Sequence, residues 1–318
     1  MGFFNAANEN RVKCGRCNTE FDLARNDGCP LCGFGNKNKS HHQEPVKTAT
    51  LSSTTDYLAI PKELKARKGK VTSSKEAKAI GSWGMFNSFF PGKAVLRILA
   101  NHLTDSKKEY VTLKDLIQKS TEVIKMHDLS KFRGFPNDPD SDSSVGRLVN
   151  HFIRTYTDMG FFEVIAKQKE KDSVWDENWS NIEITITKEG YEFAKLRNRI
   201  LDDHEDNQVL TEEEKTWLTA YLKSIDSEYK EYSMLLAVYR FIKSGHNGKD
   251  ELWSWFKTNK TFVDYVREWS RKADDAEAFK EQINNLAPTF ASAKLALLRE
   301  FGVIKNKRND YTVVGALE

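Results

Sequence analysis

The four cysteines of the chain lie in two closely spaced pairs near its N-terminus. Cys14 and Cys17 form one pair, Cys29 and Cys32 form the other, and two residues separate the sulfurs of each pair. This spacing lets both thiolates of a pair reach one metal ion, and two pairs complete a tetrahedral site. We predict one structural Zn²⁺, because protein fills all four ligand positions; iron has the same ligands and stays an alternative. Two disulfides are disfavoured, since no signal peptide precedes the cysteines.

Positive charge is concentrated in the N-terminal quarter of the chain. Residues 1–80 contain 14 Lys and Arg against 8 Asp and Glu, whereas the remainder contains 35 against 38. A basic segment of this kind suits a polyanion, most often nucleic acid, and a solvated charged linker is the alternative. We therefore predict nucleic-acid contacts from one residue beside the cysteines and from three in the basic segment after them: Arg16, Lys65, Arg67 and Lys68.

Composition divides the chain into four parts. We predict a zinc ribbon over residues 1–36, a flexible basic linker over 37–82, a first domain over 83–201, and a helical extension with a second domain over 202–318. Apolar residues are 39% of the chain and charged residues 30%, which is enough to build hydrophobic cores. No apolar run approaches the ~20 residues that span a bilayer, so we expect a soluble, cytoplasmic protein.

The first domain has a recognisable order of predicted elements. They are a helix over 94–103, a short strand over 110–112, a helix capped by Thr112, a helix over 144–159 that stops at Gly160, strands over 161–165 and 182–186, and a helix from Lys188. This order, with the sequence runs 159–164 and 184–194, resembles prokaryotic winged helix-turn-helix domains. The resemblance implies that the third helix lies in the major groove of DNA and that the hairpin, called the wing, touches the backbone.

A weaker copy of the pattern occurs at the C-terminus. Residues 297–304 read as a helix end, a glycine and an apolar strand, like residues 156–162, and residues 311–314 read as a returning strand. We predict that the third helix of this copy runs from Pro288 to Phe301. The predicted fold is therefore mostly α with small β-hairpins: an N-terminal zinc ribbon followed by two winged-helix-like domains.

The predicted outer faces of these helices and wings supply candidate nucleic-acid ligands. Arg can pair with guanine edges or phosphates, Asn can read adenine, and cations on a short turn suit phosphates. A solvated helix face is the alternative for each helical residue. The candidates are Arg147, Asn150, His151 and Arg154 in the first domain, and Ser292, Lys294, Arg299, Lys305, Lys307 and Arg308 in the second.

Evidence for an enzyme is thin. The chain has no phosphate-binding loop, nucleophile elbow or zinc-protease motif, and the Asp138–Asp142 loop lacks the Gly and distal Glu of a calcium loop. We expect a non-enzymatic protein that binds duplex DNA, as a transcription regulator or a DNA-targeting component of a mobile-element or defence system. The alternative is a protein-interaction scaffold, or a subunit of a larger nucleic-acid-processing complex, docking through the ribbon or the first wing. A nuclease subunit is a third possibility, and the sequence leaves the oligomeric state open.

Overall fold

The computed structural model of the chain separates into two compact units, residues 1–54 and 55–318. In the first unit, strands β1 (Arg11–Lys13) and β2 (Glu20–Asp22) pair antiparallel. The structure describes residues 11–13, 20–22, 56–71, 86–136, 138, 148–165, 182–270, 272–307 and 310–317. All four cysteines lie outside these ranges, so the zinc ribbon stays a prediction.

Residues 55–318, which we call the helical unit, are mostly α-helical with small antiparallel sheets, as the sequence predicts. A 3₁₀ turn (Leu129–Lys131) follows the second helix, and a π-helical segment (Leu148–Ile153) leads directly into the third. No helix in the described ranges is long and apolar enough to cross a membrane. The helices are α1 (Phe90–Ser106), α2 (Leu113–Met126), α3 (Arg154–Asp158), α4 (Lys188–Lys195), α5 (Glu212–Ser224), α6 (Glu231–Lys243), α7 (Lys249–Thr258), α8 (Lys260–Trp269) and α9 (Ala276–Glu300).

Short polar side chains fix the starts of several helices, because they accept hydrogen bonds from first-turn amides that have no partner within the helix. The predicted Thr112 cap of α2 is confirmed, since its hydroxyl accepts from the Asp115 N–H at 3.1 Å. A capping box begins α5: the Thr211 hydroxyl accepts from the Glu214 N–H, and the Glu214 carboxylate accepts from the Thr211 N–H.

Two small sheets complete the helical unit. Strands β3 (Val111–Thr112), β4 (Phe162–Ile165) and β5 (Glu183–Ile186) form an antiparallel sheet in the order β3-β5-β4. Strands β6 (Ile304–Lys307) and β7 (Asp310–Val313) form a hairpin. A single bridge joins Gly248 to Asp310, and the Asn247 carbonyl accepts from the Tyr311 N–H at 3.0 Å. Residues 247–248 therefore stand beside β7 as β3 stands beside β5.

The helical unit contains the same order of elements twice. The first half (residues 90–195) runs α1, β3, α2, α3, β4, β5, and the second half (residues 231–313) runs α6, the paired residues 247–248, α7, α8, α9, β6, β7. Among the described residues, α4 of the first half has no counterpart in the second, and α8 of the second half has none in the first. In each half, the residue that caps the second helix pairs with the first residue of the returning strand: Thr112 with Glu183, and Gly248 with Asp310.

The two halves share one hydrophobic core. Helix α1 is buried along most of its length, and so is the C-terminal part of α9. The rings of Phe89 and Phe301 meet edge to face with their centroids 5.9 Å apart. Phe86, Phe89 and Phe90 are buried, so these aromatic residues at the start of α1 belong to the shared core. The parts that the sequence predicts as separate domains, 83–201 and 202–318, thus lie within one compact unit, residues 55–318.

Charged side chains are buried in this core as matched sets. Lys93 Nζ lies 2.6 Å from the Glu214 carboxylate, and Arg97 makes two hydrogen bonds of 2.7 Å to Asp202. Burial lowers the pKa of Lys93 to about 8, although Glu214 opposes the shift. Because each cation has an anion at hydrogen-bonding distance, these groups act as structural links between α1 and the chain that follows α4.

The junction of the two halves is organised by Glu300, the last residue of α9. Its buried carboxylate accepts from the Phe89 and Phe90 amides, both at 2.9 Å, and from the Ser88 hydroxyl at 3.1 Å. The Arg133 guanidinium lies 3.7 Å away. A carboxylate from one half thereby satisfies free amides at the first turn of α1 in the other half.

The predicted start of the third helix in the second half is wrong. Helix α9 begins at Ala276, capped by Asp275, and Pro288 lies inside it. An interior proline removes one backbone hydrogen bond. The surrounding burial of Phe279, Ile283 and Ala287 holds the preceding turns in the helix.

Candidate nucleic-acid interface

Residues 56–71, which we call the strap, contain neither helix nor strand and are fixed to the first half of the helical unit. Its N-terminal end is held by buried polar side chains of α1. The Arg97 guanidinium donates to the Leu58 carbonyl at 2.8 Å, and the Asn101 amide donates to the carbonyls of Tyr57 and Ala59 at 3.0 and 2.9 Å. These donors bind the strap through its backbone, so they do not engage its side chains.

The C-terminal part of the strap is held by the start of α4. The Lys188 N–H donates to the Arg67 carbonyl at 2.6 Å, and the Gly69 N–H donates to the Glu189 carboxylate at 2.8 Å. The Tyr191 hydroxyl donates to the Lys62 carbonyl at 2.8 Å. Hydrogen bonds thus fix both ends of the strap and its middle.

Glycine is required where the strap crosses the turn between α3 and β4. A Cβ atom added at Gly69 would lie 1.9 Å from the Gly160 carbonyl oxygen and 3.0 Å from the Thr187 methyl group. The close backbone approach admits no side chain at this position.

The strap exposes all of its cations. Most of its larger apolar residues are covered: Leu58 and Pro61 are buried, Leu64 and Val71 pack against the core, and Ile60 is exposed. The basic residues on the outer side are Lys62, Lys65, Arg67, Lys68 and Lys70, which are all exposed.

The expectation of a flexible linker over 37–82 is therefore wrong for residues 56–71. The sequence signal was weak because only a few apolar residues are spaced along a basic segment. The backbone hydrogen bonds that fix the strap come from residues about 40 to 120 positions away. The predicted ligands Lys65, Arg67 and Lys68 are exposed here, and the prediction omitted Lys62 and Lys70 from the same face.

The spacing of these cations suits a phosphate backbone. An extended chain advances about 3.3 Å per residue, so the eight steps from Lys62 to Lys70 cover up to about 26 Å. Each strand of duplex DNA presents one phosphate per about 3.4 Å of helix axis. The strap can therefore follow several successive phosphates.

The predicted third helix of the first half is only partly described. Arg147 lies outside the described residues. Asn150 and His151 belong to the π-helical segment, but their side chains are not among those described. Arg154 is half-buried at the start of α3, and its neighbours Thr155 and Tyr156 are buried.

The predicted outer face of α9 is wrong at Lys294. This side chain is fully buried, and its ammonium group lies 2.7 Å from both carboxylate oxygens of Glu231 at the start of α6. The neighbouring Ala296 is 5% exposed. The reason is that α9 packs against α6 and α7 and also meets the first half at Glu300, so little of its circumference is left for solvent. Ser292 and Arg299 are half-buried on the same helix.

The second hairpin leaves one described cation in solvent. Lys305 is exposed on β6, opposite Thr312. Lys307 ends the same strand, but its side chain is not described, and Arg308 and Arg16 lie outside the described residues. The structure thus brings together the strap residues of the predicted set, and it separates Lys294 from any surface.

The described residues contain no group of three or more His, Cys, Asp or Glu that could hold a metal ion. No protein family, curated protein or solved structure matches the chain at a significant level. The arguments for function therefore rest on the chain itself.

Proposed function

We propose that this protein is a non-enzymatic DNA-binding protein that holds the phosphate backbone of a duplex along its strap. The observation that carries the proposal is the row of exposed cations from Lys62 to Lys70 on a segment whose backbone is already fixed. A fixed segment loses little conformational entropy on binding, so more of the electrostatic attraction contributes to affinity. Glu63 is the one acidic residue between these two cations.

The topology of both halves supports a winged-helix assignment. Each half has a helix, a short edge segment, further helices and a hairpin, and the first sheet has the order β3-β5-β4. In this assignment β4–β5 and β6–β7 are the wings. Wings commonly contact the backbone or the minor groove, and Lys305 is placed to do so from the second one.

Burial of α9 alters the manner of binding that the resemblance implies. A recognition helix needs its polar face in solvent, whereas the C-terminal half of α9 is enclosed and Lys294 is paired inside. We therefore assign the second half a contact through its hairpin, and we assign the strap the main contact with phosphates.

The cysteine pairs belong to the proposal as a zinc ribbon. Strands β1 and β2 pair antiparallel, and Cys14 and Cys17 lie between them in the sequence. The four thiolates would hold one Zn²⁺, whose binding stabilises a module too small for a hydrophobic core. Arg16 between them is a further candidate phosphate ligand.

The test is binding of the full, zinc-loaded chain to a labelled duplex across a salt series. We expect the logarithm of affinity to fall linearly with that of salt, by about 0.9 per phosphate contact. The strap variant Lys65/Arg67/Lys68→Ala should reduce this slope by about 2 to 3. The hairpin variant Lys305/Lys307/Arg308→Ala should reduce it by a smaller amount.

A matched control removes the same charge elsewhere. Lys257, Lys272 and Lys280 are exposed in the second half, away from the strap sequence. The triple alanine variant of these residues should keep the wild-type slope. Absence of wild-type binding at low salt, or equal losses in the strap and control variants, would contradict the proposal.

The burial of α9 favours one second candidate function, a scaffold within a nucleic-acid-processing complex. An enclosed α9 cannot enter a DNA groove, which leaves the hairpins and the ribbon as docking surfaces. In that case the strap variant would lose a protein partner while the chain alone shows no salt-dependent DNA binding.

A further inference from the structure

Helix α4 turns one face towards the basic part of the strap. The Lys188 N–H donates to the Arg67 carbonyl at 2.6 Å, and the Tyr191 hydroxyl donates to the Lys62 carbonyl at 2.8 Å. Residues 188, 191, 192 and 195 recur at helical spacing, so they share one face of α4. The strap therefore lies on the same side of the helix as these four residues.

This face of α4 adds two cations beside those of the strap. Lys188 and Lys195 are both exposed. The Lys195 ammonium lies 5.4 Å from the centre of the Tyr191 ring, whose hydroxyl is bonded to the strap at Lys62. The two cations of α4 therefore lie to the side of the strap's row, one by Arg67 and the other across Tyr191 from Lys62.

Three carboxylates lie among these cations and do not cancel them. Glu189 is half-buried and accepts the Gly69 N–H at 2.8 Å, so it is already used to hold the strap. Glu192 lies 3.7 Å from the Lys188 ammonium, and because both side chains are exposed the pair is weak and screened by salt. Glu63 is the third carboxylate. The cations that outnumber them are Lys62, Lys65, Arg67, Lys68, Lys70, Lys188 and Lys195.

The neighbouring charges limit this surface at both ends. Beyond the C-terminal end of α4, the Arg197 guanidinium is paired with Asp203. At the N-terminal end of the strap, Asp56 and Asp105 lie beside Tyr57. The excess of positive charge therefore belongs to the basic part of the strap and the adjoining face of α4.

Cations in two rows suit the two rows of phosphates on a duplex. The strap alone can follow the phosphates of one strand, because its cations succeed one another along the chain. A phosphate row borders each groove of a duplex on either side, and the minor groove is only about 6 Å wide. Cations beside the strap can therefore reach the second strand while the strap holds the first.

We infer that the exposed face of α4 is the second part of the duplex-binding surface, in which Lys188 and Lys195 contact the strand opposite the one held by the strap. This inference rests on the proposed function. The winged-helix resemblance implies contacts from the third helix and the wing, whereas α4 follows the wing. Glu192 lies on the same face, and its charge weakens the contact.

The first experiment measures binding of the full, zinc-loaded chain to a labelled duplex across a salt series. Two phosphate contacts make affinity about 10-fold more sensitive to a rise in salt from about 50 to about 200 mM. Lys188→Ala/Lys195→Ala should lose this part of the salt dependence. Lys257→Ala/Lys280→Ala removes two exposed cations of the second half and should keep the wild-type salt dependence.

The second experiment tests which strand α4 contacts. One strand of the duplex carries uncharged methylphosphonate linkages, so the strap takes the charged strand and α4 meets the neutral one. At about 50 mM salt this change should cost the wild type about 10-fold more affinity than it costs Lys188→Ala/Lys195→Ala.

A gain of affinity is the result that a folding defect cannot imitate. Glu192→Gln should tighten binding of the natural duplex about 2- to 5-fold, because it frees Lys188 from its only exposed partner on this face. Glu281→Gln removes an exposed carboxylate of α9 and should bind as the wild type does.

Wild-type salt dependence in Lys188→Ala/Lys195→Ala, or an equal cost of the neutral strand in both proteins, would overturn the inference and leave the proposed function intact. Failure of the wild type to bind the natural duplex would overturn both.

Discussion

The strap that packs on the first half presents its cations to solvent, whereas α9 of the second half encloses two of its charged side chains, Lys294 and Glu300. In the first half the strap carries cations from Lys62 to Lys70 on the surface. In the second half Lys294 is buried against Glu231, and Glu300 reaches into the first half as a cap for α1. The two halves share the order of their helices and strands, but they differ in whether these charged side chains face solvent or the core.

This difference shows that topology alone does not determine which helix is free to bind. The third helix of the second half has 25 residues and forms the centre of the core. Its polar side chains became internal links because helices pack on several of its sides. The described part of the matching element in the first half is Leu148–Asp158.

The largest expected effect comes from breaking the buried pair of the second half. Lys294→Met leaves the Glu231 carboxylate buried without its cation, and we expect the free energy of unfolding to fall by about 3–5 kcal/mol. Urea denaturation at neutral pH measures this. The double variant Glu231→Leu/Lys294→Met should recover most of the loss, because it leaves no uncompensated charge.

An exposed pair in the same half is the control for that experiment. Lys260 and Asp264 are 2.6 Å apart, but the lysine side chain is 88% exposed. Lys260→Met should change the free energy of unfolding by less than about 0.5 kcal/mol. A similar loss in Lys260→Met and Lys294→Met would show that burial does not distinguish the two pairs.

The next effect tests the junction through its pH dependence. Burial raises the pKa of Glu300 from 4.5 to about 7, against the opposing effects of Arg133 and the hydrogen bonds from Ser88, Phe89 and Phe90. The Tyr156 hydroxyl is the other titratable group that faces this carboxylate, and burial raises its pKa. Between pH 4.5 and about pH 7, the folded protein therefore binds more protons at Glu300 than the unfolded chain does.

Stability from this group is therefore fully present below about pH 4.5 and is lost as the pH rises towards about 7. Over that interval the wild type should lose roughly 3 kcal/mol of unfolding free energy relative to Glu300→Gln. Urea denaturation of both proteins at several pH values measures the difference. A constant difference across the interval would contradict a raised pKa at Glu300.

A smaller effect is expected from releasing the strap of the first half. Gly69→Ala places a methyl group against the Gly160 carbonyl, so the strap must move away from α4. We expect hydrogen exchange at the Lys188 amide to accelerate about 10-fold, with only about 1 kcal/mol lost from global stability. Mass spectrometry of exchanged peptides measures exchange in the strap and at the start of α4.

Gly248→Ala is the matched control in the second half. A Cβ atom there would lie 3.5 Å from its nearest neighbour, which is an ordinary contact. Exchange at Lys188 should remain as in the wild type. Unchanged exchange in Gly69→Ala would show that the strap tolerates the added methyl group.

The smallest expected effect tests whether α2 and α7, the second helices of the two halves, begin in the same way. Thr112→Ala removes a side-chain cap and should cost about 1 kcal/mol of unfolding free energy. Gly248 occupies the equivalent position with extended dihedral angles and no side-chain cap, so Gly248→Ser should gain a few tenths of a kcal/mol. Thermal unfolding of both variants would detect the opposite signs, and a loss in Gly248→Ser would contradict the equivalence.

Local sequence signals predicted a large part of the first half. The strand over 110–112, the Thr112 cap and the strands over 161–165 and 182–186 agree with the structure to within a residue or two. These features depend on residues a few positions apart, such as a cap and the amide three residues later.

Long-range contacts caused the errors in the second half and the strap. Helical periodicity alone gives Lys294 an outer position, and only the approach of α6 places Glu231 beside it. The strap has the composition of a linker, and only the side chains of Arg97, Asn101 and Glu189 make it an ordered segment. Neither partner set is close in sequence to the residues it holds.

The sequence by itself determined the helical fold class, the order of elements in each half, the cysteine spacing that favours a metal site and the excess of positive charge near the N-terminus. These follow from composition and from interactions over a few residues. Tertiary structure alone decided which charges face solvent, how the two halves share one core, and that Thr112 and Gly248 occupy matching positions. The physical reason is that exposure and pairing depend on which distant element packs against a residue, and the pairing of β3 with β5 and of Gly248 with Asp310 is formed only in the folded chain.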